Sequence, residues 1–189
     1  MKRLILALLL ASTSAFGANI LSNPGFETGV LSPWTNGSDF CGGCVWGVDG
    51  ADAHSGTQSA FVDGNRLMLQ TFTAIAVSDI LEASFWAKHP ASVSGAAMYV
   101  SFDYSDATSN GFIISTTSSD WEFFNVTSNL AAGKSLVSFG VYGNSGTLAR
   151  FDDALIDVGV PAVPEPTTWT LLAAGLVLAG WRKRRDATR

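Results

Sequence analysis

Between residues 18 and 160 the apolar positions recur at intervals of two rather than of three or four. In Ala97–Tyr104, Val100, Phe102 and Tyr104 fall on one side, and Tyr99, Ser101 and Asp103 on the other. In Leu136–Gly143, Val137, Phe139 and Val141 alternate with Ser138, Gly140 and Tyr142. A half-buried strand requires this period, because successive side chains leave opposite faces of the pleat. The alternation predicts strands over Ala60–Val62, Arg66–Phe72, Ile80–Ala87, Ala97–Tyr104, Gly111–Thr116, Glu122–Thr127, Leu136–Gly143 and Ala149–Asp157. Clusters of Gly, Ser, Asn and Asp separate them. About eight strands at this spacing predict an all-β chain folded as a β-sandwich or jelly roll.

Both ends depart from the alternation. Met1-Lys2-Arg3 is a charged start, Leu4–Leu10 is a continuous apolar run, and Ala15-Phe16-Gly17 puts small residues at positions −3 and −1 of a cut before Ala18. This three-part layout predicts an N-terminal secretory signal peptide over 1–17. At the other end, a Pro-rich linker over 161–166 leads into an apolar stretch over 167–181 and a basic tail over 182–189. As a helix, the stretch would reach about 22 Å against a bilayer core about 30 Å thick. A single short transmembrane helix is therefore expected. Trp169 and Trp181 would lie at the interfaces, with the Arg182–Arg185 cluster held on the cytoplasmic side. The domain between the ends spans 18–160.

Charge sharpens the picture once the ends are set aside. The whole chain carries a formal net charge of −5. Residues 18–165 hold 15 Asp and Glu but only Arg66, Lys88, Lys134 and Arg150 as cations, a net charge of −11. A nucleic-acid partner is excluded on this count, since phosphate binding needs clustered Lys and Arg.

The tail, with Pro164-Glu165-Pro166 ahead of a short Gly-containing apolar helix and an Arg-rich stop, resembles the PEP-CTERM sorting signal of Gram-negative bacteria. The resemblance implies an exosortase as partner, with cutting near the sorting motif Pro164, Glu165 and Pro166. It also implies a producer of exopolysaccharide, and a protein that is membrane-anchored first and then released to the cell surface or extracellular matrix. A plain C-terminal anchor is the alternative.

The middle carries a second resemblance. Asn23-Pro24-Gly25-Phe26-Glu27 with Pro33-Trp34, then Ala53-His54-Ser55-Gly56-Thr57, then Ser84-Phe85-Trp86-Ala87, then Phe151-Asp152-Asp153-Ala154-Leu155 are similar, in order, to the landmarks of galactose-binding-like jelly rolls of the carbohydrate-binding-module type. The same sandwich serves binding, structural and enzyme-appended roles, so the resemblance implies fold more than ligand. It also implies one structural calcium ion held by Glu27, Asp152 or Asp153 and backbone oxygens near Ser55-Gly56; hard oxygen donors suit that ion.

Chemistry-bearing residues are few. Cys41 and Cys44 are the only cysteines, and in an exported chain a disulfide is the expected state. Zinc needs four ligands, and the two Cys with His54 and His89 have no spacing that recommends one. Neither a nucleophile elbow nor a phosphate-binding loop is present. Asp152 and Asp153, being adjacent, are expected on opposite faces of a strand, where they could not flank one substrate. No enzyme activity is expected. For sugar contact, Tyr99, Tyr104, Tyr142 and Trp46 are the candidates, with Asp103 as a polar group beside an aromatic, while Trp34, Trp86 and Trp121 are expected in the core. The expected function is an exported, non-enzymatic module that binds exopolysaccharide. A purely structural matrix protein and a glycan-acting enzyme are the alternatives.

Overall fold

A computed structural model describes residues 17–39, 43–63, 66–88, 97–115, 119–143 and 149–159. They contain eleven strands: β1 (Ala18–Asn19), β2 (Thr35–Asp39), β3 (Val45–Asp49), β4 (Ser59–Asp63), β5 (Arg66–Ala76), β6 (Ile80–Lys88), β7 (Ala97–Tyr104), β8 (Ser109–Ser115), β9 (Glu122–Asn125), β10 (Ser135–Gly143) and β11 (Ala149–Val158). Two short 3-10 turns, Val77–Asp79 and Thr127–Asn129, are the helical elements among the described residues. All strands lie within the compact unit Phe16–Gly159. The all-β sandwich is thus as expected. Residues 1–16 of the expected signal peptide, the Pro-rich linker, the apolar stretch and the basic tail fall outside the described residues. Within those residues, no helix is long and apolar enough to cross a membrane.

The strands form two antiparallel sheets. One runs β3-β4-β11-β6-β9, with β1 added on β11; the other runs β2-β5-β10-β7-β8. Their inner faces meet over an aromatic core. Phe26, Phe85, Phe102, Phe139 and Phe151 are fully buried and Trp34 nearly so. Phe85 and Phe151 approach to 5.0 Å between ring centres, and Trp34 sits 5.9 Å from Phe151 and 6.1 Å from Phe139. Tilted and edge-on contacts of this kind add to the area term of burial.

Period-two reasoning places most of the inner residues. Val100, Phe102 and Tyr104 of β7 all point inward. In β10 the pattern is corrected by one residue: Leu136 faces Tyr104 and Ser138 faces Asp103, so Val137 is extra and bulged. Leu136, not Val137, is fully buried. A bulge adds a residue to one strand and shifts the alternation beyond it. Two strands, β1 and β2, are too short or too polar to have shown any alternation.

Candidate functional site

The outer face of the five-stranded sheet gathers most of the residues expected to touch sugar. Tyr142 of β10 stands directly opposite Tyr99 of β7. Leu67 of β5 flanks Tyr142, and Ile113 of β8 flanks Tyr99. These four side chains make one row across four strands. Tyr99 is 38% exposed and Ile113 66%. A neighbouring row runs Leu69, Gly140, Ser101, Gly111, and a third runs Thr71, Ser138, Asp103, Ser109. Gly140 and Gly111 leave the middle row low.

Gly111 governs how Tyr99 lies. A first side-chain carbon at position 111 would fall 2.1 Å from the Tyr99 hydroxyl oxygen and 2.2 Å from the ring carbon bearing it. The phenol therefore lies across Gly111, flat on the sheet, with a face turned to solvent. Asp103 sits on the same face, in the next-but-one row. An aromatic face beside hydrogen-bonding groups suits a sugar, which has apolar C–H faces and a hydroxyl rim.

Trp46 does not join this face. It is buried, its indole N–H donates to the Arg66 carbonyl at 2.9 Å, and its ring lies 6.5 Å from Phe151. It is a core residue because it alternates with Gly47, whose outer side is filled by the Phe61 ring. Tyr104 is buried as well, its hydroxyl donating to Asn110 Oδ1 and accepting from the Ala131 N–H.

Trp86 and Trp121 are also displaced from expectation: both are only half-buried. Trp86 alternates with Phe85 and Ala87, which face the core, so it points to the outer face of the six-stranded sheet. There it stacks on His54 at 3.8 Å and lies 5.4 Å from Phe123. Trp121 meets the edge of His54 and donates its indole N–H to Asp52, which is paired with Lys88.

The acidic residues converge on the loop before β4. Asp152 Oδ2 accepts the N–H groups of His54 (2.9 Å) and Ser55 (3.3 Å), and its Oδ1 accepts that of Asp153. Asp153 contacts His54 Nδ1 at 2.6 Å and accepts the Ser55 hydroxyl at 2.8 Å. Glu27 accepts the N–H groups of Thr57 and Gln58, both at 2.9 Å. The expectation that Asp152 and Asp153 point to opposite faces is corrected. A bulge falls between Asp152 and Leu155, and Asp153 has a positive φ of 46°. The left-handed residue turns its carboxylate back to the same loop. Asp152 is fully buried, and burial lifts its carboxyl to about 6, against the N–H bonds from Asp153, His54 and Ser55. Backbone N–H donation from Thr57 and Gln58 lowers Glu27.

Calcium can be tested against this donor set. A side chain on Gly25 would begin 3.2 Å from Asp153 Oδ1 and 3.6 Å from Asp152 Oδ1. Glycine thus leaves a space bordered by two carboxylate oxygens, one of them on a buried carboxyl. These are hard donors of the kind calcium takes. Among the described residues, no three His, Cys, Asp or Glu side chains are grouped to hold a metal by themselves. Backbone oxygens would have to complete the shell, as the expected set already allows. Cys41, Pro164, Glu165 and Pro166 lie outside the described residues.

Three residue types of the tyrosine face escaped the sequence reading: Leu67, Ile113 and the two glycines. Their signal was cross-strand register, which one strand at a time does not reveal.

Comparison with known proteins agrees with both resemblances. Residues 162–185 match the family model of the PEP-CTERM protein-sorting motif. Such motifs mark exosortase substrates: exported proteins that are anchored at the membrane before processing. No curated protein matches the chain. Among solved structures, TmCBM61 in complex with β-1,4-galactotriose is 22% identical with a TM-score of 0.51, over 73% of this chain and 97% of that one. The CBM22-1 xylan-binding domain of Xyn10C from Paenibacillus barcinonensis is 17% identical with a TM-score of 0.55, over 79% of this chain and all of the other. A family 16 carbohydrate-binding module is 17% identical with a TM-score of 0.53, over 72% and 97%. At these identities the likeness is one of fold. The chain therefore joins a PEP-CTERM protein-sorting motif to a β-sandwich whose solved neighbours include several carbohydrate-binding modules.

Proposed function

We propose that this is an exported, exosortase-processed protein of the cell surface or extracellular matrix that holds exopolysaccharide on the outer face of its five-stranded sheet, without cutting it. The observation that carries this reading is the row Leu67, Tyr142, Tyr99, Ile113, with Tyr99 lying flat over Gly111. Exposing this much apolar surface on a face whose other rows carry mostly Ser, Thr, Asp and Gly has a cost that a bound sugar would offset. The fold neighbours named for galactotriose and xylan binding support the choice of ligand class. A purely structural matrix role is the second reading; the sandwich would serve it equally, but that role gives no reason for the tyrosine row.

The reading includes a signal peptide over 1–17, a membrane-spanning segment over 167–181 until processing, a Cys41–Cys44 disulfide that pins the loop before β3, and one calcium ion. Asp152 and Asp153 would hold the ion, with Glu27 and backbone oxygens near Ser55-Gly56. The ion would supply positive charge beside the neighbouring Asp152 and Asp153 carboxylates, where His54 is the one basic side chain in contact. Isothermal titration of the purified protein with β-1,4-galactan, xylan and the producer's own exopolysaccharide tests the binding. Saturable heat with at least one polymer is expected, and no binding to any would favour the structural reading.

A further inference from the structure

Asp157 is the one described carboxylate left with a buried oxygen and no partner. Its Oδ1 is shielded from solvent and makes no hydrogen bond. Across β6 it faces Glu82, and across β1 it faces Asn19. Two acids directly opposite one another repel. Asp79, in the turn before β6, accepts the Gly159 N–H through its backbone oxygen and brings a third acid to this end of the sheet. None of the ion pairs among the described residues supplies Asp157 with a cation.

Gly17 lies over the orphan carboxylate. A first side-chain carbon on Gly17 would fall 1.8 Å from Asp157 Oδ1 and 2.3 Å from Oδ2. Any larger residue there would have to push the Asp157 carboxylate aside. Asp157 is therefore pressed against the main chain beside the Gly17–Ala18 bond, where Ala15-Phe16-Gly17 places the export cut. β1 begins at Ala18, in register with Val158 of β11.

We propose that the α-ammonium of Ala18, created by that cut, is the partner of Asp157 and fastens the start of the mature chain to its last strand. Hydrolysis adds water across the peptide bond. Gly17 departs with a new carboxylate, and Ala18 keeps the nitrogen, which protonates to an ammonium. Gly17 leaves as the cation appears, so the oxygen that is unpaired in the precursor is matched in the product. Glycine at 17 meets two requirements together: a small residue for the peptidase, and no side chain against Asp157. The strand it secures is two residues long and gains an anchor that its ladder bonds alone do not give. This inference rests on the export reading of residues 1–17.

The sign of its pH dependence follows from the amine. An unperturbed α-amine titrates at about 7.7–8.0, and pairing raises that value in the folded state. The stabilisation is then complete below about pH 7.7 and is lost as pH rises through the raised value. Glu82, opposite Asp157 on β6, and Asp79, in the turn before β6, are acids at the same end of the sheet and compete for the same cation.

The test uses the full chain expressed in an exporting Gram-negative host, as wild type and Asp157→Asn, with the N-terminus of the purified product read by mass spectrometry. Ala18 is expected as first residue. The wild-type melting midpoint should fall between pH 7 and pH 9.5 by about 2 °C more than that of Asp157→Asn, the size of a partly exposed ion pair. In a chain whose cleavage is blocked by Ala15→Arg, Asp157→Asn should produce no such difference. Equal pH slopes in processed wild type and variant, or the same difference in the blocked chain, would overturn the pairing. A first residue other than Ala18 would overturn the export cut itself, and the proposal with it. Should Asp157→Asn fail to fold, the pH dependence of acylation at the wild-type α-amine decides. Half-reactivity should lie above that of a free peptide with the same N-terminal sequence, and an equal value refutes the pairing.

Discussion

Tyr99 and Tyr142 show how far a single strand pattern reaches. Alternation in β7 and β10 puts each on its strand's polar face, and the structure keeps both there. That they stand side by side follows from register, which neither segment contains. Replacing either with Ala should weaken glycan binding about tenfold, the loss of roughly 1.4 kcal/mol expected when an aromatic contact is truncated. The melting point should hardly move, because neither ring is part of the core. Titration calorimetry paired with a thermal melt checks both halves. Trp34 lies in the core as expected, whereas Trp86 departs from that expectation for a related reason. Trp86 sits between Phe85 and Ala87, so the period of two already sends it outward, whereas a fondness for burying large rings sends it inward; parity decides. Arg150 is the opposite case, a cation covered on the outer face of the six-stranded sheet, with its guanidinium over the Phe61 ring. It is 6% exposed and forks onto Asp49 at 2.7 and 3.2 Å, with Ser59 at 2.9 Å. Arg150→Ala should cost about 2 kcal/mol, below the range for a fully buried pair because Asp49 is partly exposed. Urea denaturation measures it. The Arg150 guanidinium holds Asp49 below its ordinary range, so this contribution is present near neutral pH and is lost as pH falls through the lowered value.

The strands themselves were legible where they are long and half-buried, and illegible where a bulge or a very short strand breaks the period. β5 through β11 appear in the sequence as alternating runs, although β5 continues to Ala76 and β8 starts earlier, at Ser109. β1 has two residues and β2 reads Thr-Asn-Gly-Ser-Asp, which no hydrophobic pattern could mark. The bulge in β11 mattered most for chemistry. Strict alternation separates Asp152 from Asp153, whereas the extra residue and the left-handed turn at Asp153 bring both carboxylates to the 54–55 loop. If calcium binds beside Gly25, adding a chelator should lower the melting midpoint by several degrees, and calcium should restore it. Site loading at 100 times the dissociation constant stabilises by about 2.7 kcal/mol. An unchanged midpoint with chelator would leave the junction held by its hydrogen bonds alone. Gly25→Ala should reduce the calcium response, since its methyl group would enter the space between the two oxygens.

Taken together, the chain is an acidic sandwich between two basic-flanked apolar ends, and its summary charge of −5 conceals a middle at −11. Such a domain is suited to neutral glycans and to cations rather than to anionic polymers. The C-terminal end carries a sorting motif that needs no folded structure to be read, which is why it was plain in the sequence while the tyrosine row, set by cross-strand register, was not. Substituting Pro164 and Pro166 with Ala should block processing, and the protein should then stay in the membrane fraction at its unprocessed mass. The central claim is that the tyrosine face holds polysaccharide. Affinity electrophoresis of the wild type and the Tyr99→Ala/Tyr142→Ala double variant in gels containing the producer's exopolysaccharide tests it most directly. The wild type is expected to be retarded, and the double variant, equally folded by its melting curve, to migrate as in a gel without polymer. Equal retardation of both proteins would contradict it.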